Sequence, residues 1–222
     1  MPISWKSGAL LGMTLNVFTS SACLGAMNLW RLDNVTEIGG HATSVQGAPR
    51  SVEGPHGKAI AFDGVDDAIF VPENPIAGWP QFTVEILFRP ATGGAFEQRY
   101  LHLGAPDGDR ALFELRSTPD GHWYLDTFLQ SGAGKLALID PAKTHASDAW
   151  YWVALRYDGR RMSHYVNGVL EMEQELTIAP LPAGQTSLGV RQTRVSWFKG
   201  EIREVRFHDA AIAPDTLQAA TP

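Results

Sequence analysis

Gln98, Tyr100, His102, Arg116, Tyr124, Asp126 and Arg191 recur at alternate positions of short runs that are otherwise largely apolar. In Glu97 to Leu103 a period of two sets Gln98, Tyr100 and His102 against Arg99, Leu101 and Leu103. Arg110 to Arg116 turns Ala111, Phe113 and Leu115 inward and leaves Arg110, Leu112, Glu114 and Arg116 outward. Gly121 to Leu129 separates Trp123, Leu125 and Leu129 from His122, Tyr124, Asp126 and Phe128. Gln185 to Arg194 reads as a further strand, with Ser187, Gly189 and Arg191 opposite Leu188 and Val190. A merely solvated sheet face carries Lys, Glu, Thr and Ser. These faces collect aromatic rings, imidazoles and guanidinium groups, the side chains that stack on sugars and fork onto carboxylates. The pattern predicts a face suited to binding carbohydrate.

Two reactions on such a ligand make different demands. Sandwich-type retaining glycosidases place two carboxylates about 5 Å apart, normally from one strand. Glu114 has no acidic residue two positions on, and Glu171, Glu173 and Glu175 read as a solvated strand edge. β-Elimination on a uronic acid instead needs groups that neutralise the carboxylate, then a base and an acid. Arg116 and Arg191, with Gln98 assisting, fit the first role; His102 or His164 fits the base, and Tyr124 or Tyr165 the acid. A binding module would use the same face without chemistry.

The elements that must carry these groups read as short strands. Trp150 to Gly168 forms a meander: Tyr151, Val153 and Leu155 alternate with Trp152, Ala154 and Arg156, and Asp158-Gly159 and Asn167-Gly168 supply two turns. In its second arm His164 and Tyr165 point to opposite faces, so one of them is expected on the binding face. Gln81 to Pro90 is a central strand, with Phe82, Val84, Ile86 and Phe88 on one side. Lys58 to Val71 reads as a strand pair around Asp63-Gly64, and residues 42–58 as a loop with one short strand. Asp63, Asp66 and Asp67 serve either as a solvated turn or as oxygen ligands of a structural calcium ion. Gly39-Gly40 before His41 turns the chain or lets the backbone approach a neighbour closely. His41, His145 in the loop before Trp150, and Trp197 complete the candidate contacts.

Three motifs resemble one family. Trp150 to Gly159 (W-x-x-V-A-L-x-Y-D-G) with Tyr165 to Gly168 (Y-V-N-G) looks like the centre of laminin-G-like, concanavalin A-like jelly-roll domains. Ala61 to Asp67 resembles that family's early FDG strand, and Phe198 to Arg206 its closing strand, with Arg203 where the family usually has Asp. The resemblance spans residues 59 to 210 and implies an all-β fold, an antiparallel two-sheet sandwich in which one sheet forms a groove. A structural calcium near Asp63 is frequent in that family. Phe113 to Arg116 is also similar to a strand of jelly-roll alginate-type lyases, and Gln98 to His102 resembles their Q-I-H strand with stretched spacing. The fold itself serves lectins, hydrolases and lyases alike.

The 222 residues suit one sandwich core, and ten Phe, seven Trp and five Tyr can fill it. A net charge of −6 and the lack of a basic stripe argue against nucleic-acid binding. The single Cys23 excludes an internal disulfide, and no zinc-ligand spacing occurs. Lys6, the apolar run Ala9 to Phe18 and the small residues Ser20 to Ala22 resemble a secretory leader over residues 1–26. Export to the periplasm or medium follows from that reading, and a cytoplasmic protein if translation starts at Met27. No span long enough to cross a membrane is left over. The expected organisation is a leader, one domain over 27–214 and a tail over 215–222, with an acidic polysaccharide as the partner.

Overall fold

The computed structural model describes Met1 and residues 26–220. Cys23 and nearly all of the expected leader therefore lie outside the described residues. In chain order the strands are β1 (Met27–Arg31), β2 (Glu37–Ile38), β3 (His41–Ala42), β4 (Ser44–Gln46), β5 (Arg50–Gly54), β6 (Gly57–Asp63), β7 (Ala68–Val71) and β8 (Phe82–Pro90). They continue as β9 (Glu97–Gly104), β10 (Arg110–Ser117), β11 (His122–Ser131), β12 (Gly134–Ala146), β13 (Tyr151–Tyr157), β14 (Arg161–Val166), β15 (Val169–Glu175), β16 (Gln185–Leu188) and β17 (Lys199–His208). The strands form the two antiparallel sheets expected from the alternation. One runs β15-β14-β13-β8-β17-β6-β5, with β1 also on β17; the other runs β12-β11-β10-β9-β16-β7-β4, and β2 and β3 make a small ribbon.

The meander forms as β13, β14 and β15. Its Asn167-Gly168 turn needs positive φ at both residues, 47° and 75°, the geometry of the tight hairpin turns that match strand twist. Asp158 steadies the first turn by accepting the amides of Arg160 and Arg161 through Oδ1, at 3.1 and 2.7 Å. β8 is central, between β13 and β17. The expected pairing of the strands on either side of Asp63-Gly64 is corrected: β6 and β7 belong to different sheets. That turn carries the chain across the sandwich, which local alternation does not reveal.

The inward faces of both sheets meet in one core. Phe88 stacks on Tyr100 at 4.5 Å between ring centroids and meets the edge of Trp123 at 5.2 Å. Trp30 meets Phe207 edge-on at 5.0 Å. Offset and edge contacts of this kind add about 0.5–1.5 kcal/mol each beyond area burial. Gly39 both turns and packs: its φ is 61°, and a Cβ there would lie 2.1 Å from the Trp30 indole nitrogen. Any side chain at that position would displace Trp30 from the core.

The outward face of the eight-stranded sheet is covered by the chain's own C-terminal stretch. After β17 the Thr83 hydroxyl donates to the Ala210 carbonyl at 3.0 Å, and the Gln218 amide donates to Glu85 at 2.7 Å. The Ala220 amide reaches Asn167 at 3.2 Å.

Candidate functional site

The other outward face is open. On β10 and β11 the register sets Leu112 opposite Phe128, Glu114 opposite Asp126 and Arg116 opposite Tyr124, so alternation brings all six to one surface. There a shallow cleft of about 180 Å³ opens, floored by Leu112, Phe128 and Ala137 and walled by Arg99, Arg110, Glu114, Arg116, Asp126 and Arg191.

Like charges directly opposite each other destabilise a sheet, so the Glu114–Asp126 pair needs cations. Arg116 supplies one, with 2.6 Å to Asp126 and 3.4 Å to Glu114. Arg99 supplies the second, its Nε donating to Glu114 at 2.9 Å while its Nη1 also pairs with Glu97. The lattice is nearly dry, since the Glu114 and Asp126 side chains are 4% and 6% exposed. Burial, then the neighbouring Glu114 charge, pushes Asp126 up to about 7, against the pull of Arg116 and Arg99.

Arg99 reaches this face through a bulge. The β9–β10 register slips between Phe113 and Glu114, so that Phe113 pairs with Leu101 and Glu114 with Arg99, leaving Tyr100 unpaired between them. The expected face of β9 is thereby corrected for Gln98, Arg99 and Tyr100, whereas His102, opposite Leu112, keeps the outward side expected for it. Tyr100 is 0% exposed and packs on Phe88, Phe113 and Phe198 in the core. Gln98 is buried at the strand's start, donating to Ala95 and Ser117 at 2.8 Å and accepting the Lys199 amide at 2.8 Å.

His102 lies beneath the loop that follows β16. Its Nδ1 accepts the Gln192 amide at 3.1 Å, which makes Nε2 the donor to the Ala105 carbonyl at 2.9 Å. Burial draws it down to about 4, and the charges of Arg110, Arg191 and Arg99 add to that. β16 ends at Leu188, so Arg191 stands in that loop rather than on a strand. Gln192 staples the loop with side-chain bonds to the carbonyls of Gln185, Gly104 and His102 at 2.8, 3.2 and 3.4 Å.

The expectation that His164 or Tyr165 faces the cleft is also corrected, because β14 belongs to the opposite sheet. His164 is 1% exposed, pointing into the core, where its Nδ1 meets the Thr127 hydroxyl at 3.0 Å. Burial draws it down to about 4. Tyr165 is buried on the far face. Tyr124, 8% exposed, keeps the cleft side beside Arg116. His145 sits at the sandwich edge between Trp123 and Tyr151, bonded to Glu171 at 2.8 Å. Half-buried Trp197 lies in the loop before β17, and His41 packs near Trp30 at 6.3 Å; neither lines the cleft. Arg99, Arg110 and Glu114 are the charged lining residues that the sequence did not offer as contacts, and the floor of Leu112, Phe128 and Ala137 was not offered either. Arg110 and Glu114 were legible as outward on their strand; Arg99 was hidden by the bulge.

Asp63, Asp66 and Asp67 do gather, with ligand atoms all within 4.8 Å of one another, and could hold a metal ion. Two of them already serve the turn. Asp63 Oδ1 accepts the amides of Val65 and Asp66 at 2.8 and 3.2 Å, and Asp67 accepts those of Ala48 and Asp63 at 2.6 and 3.0 Å. Desolvation acts to raise the Asp63 carboxyl, but these amides outweigh it and hold the group below its ordinary value. These amides fill Asp63 Oδ1, and the other carboxylate oxygens of the three residues keep lone pairs for a hard cation. Arg50, Arg89 and Lys199 line the adjoining cavity and oppose one.

Among the described residues no helix is long and apolar enough to cross a membrane. No curated protein matches the sequence. Domain 4 of AbnA, a GH43 extracellular arabinanase from Geobacillus stearothermophilus, solved with arabinotriose, superposes with a TM-score of 0.63 at 18% identity, over 86% of this chain and 96% of that one. A heptameric SAP-like pentraxin from Limulus polyphemus gives 0.55 at 19% identity, over 70% and 77%. The receptor binding domain of botulinum neurotoxin D gives 0.62 at 13%, over 85% of this chain and 50% of that one. At these identities the likeness is one of fold. A laminin G family model described as the concanavalin A-like lectin/glucanases superfamily matches residues 63–218. The two-sheet sandwich and that match agree, and the chain belongs to the concanavalin A-like lectin/glucanases superfamily.

Proposed function

We propose that the protein is a lectin-like module that binds a saccharide in the cleft of the seven-stranded sheet. The observation that carries this reading is the cleft itself: an apolar floor of Leu112, Phe128 and Ala137 edged by guanidinium and carboxylate groups. A sugar offers the matching surface, with C–H faces for the floor and hydroxyls for the rim. The neighbour solved with arabinotriose supports a saccharide partner. Binding is favoured over β-elimination because the proposed bases are occupied. His102 spends both ring nitrogens on backbone groups, and His164 lies between the sheets.

Calorimetric titration with a panel of neutral and acidic oligosaccharides tests the proposal, with the exposed Ala137 replaced by Trp to fill the cleft. Binding to at least one oligosaccharide, weakened about tenfold or more by Ala137→Trp at unchanged stability, is expected. No binding to any of them overturns the reading. The same panel, followed by absorbance of an unsaturated uronate, gives β-elimination its own readout. A structural calcium at Asp63, Asp66 and Asp67 belongs to the proposal as well: melting should rise on adding calcium after chelation, and an unchanged melting temperature removes the ion.

A further inference from the structure

Four guanidinium groups line the cleft, and they fall into two unlike pairs. Arg99 and Arg116 are consumed by Glu97, Glu114 and Asp126. Arg110 and Arg191 are not neutralised in this way. Among the described residues Arg110 has no carboxylate partner. Its Nη1 donates to the Gly108 carbonyl at 2.7 Å and, more weakly, to Gln130 at 3.5 Å. Its plane lies over Phe128 at 4.7 Å from the ring centroid, which fixes its orientation. Arg191 has one carboxylate contact, at 3.2 Å to Asp107, whose side chain is 77% exposed. Such surface pairs contribute about 0–1 kcal/mol.

Two details show that this pair is incomplete. The Nε atoms of Arg110 and Arg191 are both buried without an acceptor among the described residues, and an unmet buried donor costs about 1–3 kcal/mol. The two cations also act on each other: after burial, the Arg191 charge is the next largest influence lowering the affinity of Arg110 for its proton. The fold nevertheless holds them in one cleft, Arg110 by its stack on Phe128 and Arg191 by the Gln192 staples on its loop. An oxyanion with two or more acceptor oxygens would offset the two like charges and accept from the guanidinium edges that line the cleft.

We infer that Arg110 and Arg191 together recognise an acidic substituent, a carboxylate or a sulfate, on the saccharide bound in the cleft. This rests on the saccharide-binding reading. It replaces the pairing of Arg116 with Arg191 expected from the sequence, since Arg116 is already held by two buried carboxylates.

The test compares four ligand sets by calorimetric titration: uronate oligosaccharides, their carboxyl-reduced counterparts, sulfated oligosaccharides and the desulfated forms of these. At least one acidic set should bind about tenfold or more tightly than its neutral counterpart, and the advantage should shrink between low salt and ~0.5 M salt. Arg110→Gln and Arg191→Gln should each erase most of that advantage without lowering the melting temperature. Arg110→Lys, which keeps the charge but loses the fork, should restore only part of it. A uronate preference identifies the carboxylate and a sulfated preference the sulfate. Equal affinity for acidic and neutral forms, still weakened by Ala137→Trp, overturns this inference and leaves the saccharide reading standing. An acidic preference that survives both Gln variants also overturns it, and an absence of all binding overturns both.

Discussion

Each sheet of this sandwich carries buried charge on its outward face, and the two faces end differently. On the eight-stranded sheet Glu85 is held by His208 at 3.0 Å and by the Gln218 amide, and the chain's own C-terminal stretch lies over it. On the seven-stranded sheet Glu114 and Asp126 are held and covered by the arginine side chains around them, and the cleft opens beside that lattice. The first face is closed by a backbone segment; the second carries an open cleft. An ion lattice this dry stabilises only when complete, because the desolvation of each charge is offset solely by its partners. The open face therefore depends on side chains alone, whereas the closed one also depends on backbone.

The sharpest way to break the comparison is to remove the shared carboxylate. Glu114→Ala leaves Arg99 and Arg116 with one fewer buried anion and should cost about 3–5 kcal/mol in denaturant unfolding. A loss below about 1 kcal/mol would show that water reaches the lattice and that it is no framework for the cleft.

Ending the chain after His208 strips the closed face instead. Arg156, Thr83 and Glu85 lose their bonds to Ile212, Ala210 and Gln218. With the Ala220–Asn167 bond these make four, and at about 0.5–1.5 kcal/mol for each a loss of about 2–6 kcal/mol is expected, while oligosaccharide affinity stays unchanged. A truncated protein that folds but no longer binds would place the ligand on the covered face.

The faces and the core between them also differ in the sign of their pH dependence. His102 and His164 are drawn down to about 4 from 6.5. They favour folding above pH 6.5, and that stability is lost as pH falls towards 4, where the unfolded chain takes protons that the fold refuses. Asp126 is pushed up to about 7 from 3.8, so its contribution runs the other way: present below 3.8 and lost as pH rises towards 7. Urea midpoints from pH 4 to 8 should show the acid limb flattened by His164→Gln and the limb up to pH 7 flattened by Asp126→Asn. Were both variants parallel to the wild type, the burial assigned to these groups would be wrong.

What could be read from the chain divides along the same line between local and distant determinants. The meander, the central strand and the polar face of β10 and β11 follow from alternation and turn residues, which are local. The motifs at Trp150 to Gly168 and Phe198 to Arg206 placed the fold correctly. The face of β9 was misassigned because one bulge reverses every side chain on one side of it, and nothing within Glu97 to Leu103 marks the slip. His164 and Tyr165 were misassigned for another reason. Their alternation is real, but the sheet that the meander joins is decided by the pairing of β13 with β8, more than sixty residues back along the chain. Arg110 could be seen as outward, yet its lack of a carboxylate partner is a property of space and not of sequence.

Tyr100 provides the finest probe of where the core stops and the cleft begins. Its ring is core, but its hydroxyl is buried without a hydrogen-bond partner. Burial first, then the charges of Asp126 and Glu114, hold its proton well above the ordinary range. The hydroxyl thus feels the cleft's carboxylates from the inner side of the sheet. An unmet hydroxyl costs about 1–3 kcal/mol, so Tyr100→Phe should raise stability by about 1 kcal/mol and leave saccharide affinity as it was. A fall in affinity would mean that the hydroxyl reaches the ligand through the bulge, and that the boundary between core and cleft lies one layer deeper than the side-chain packing indicates.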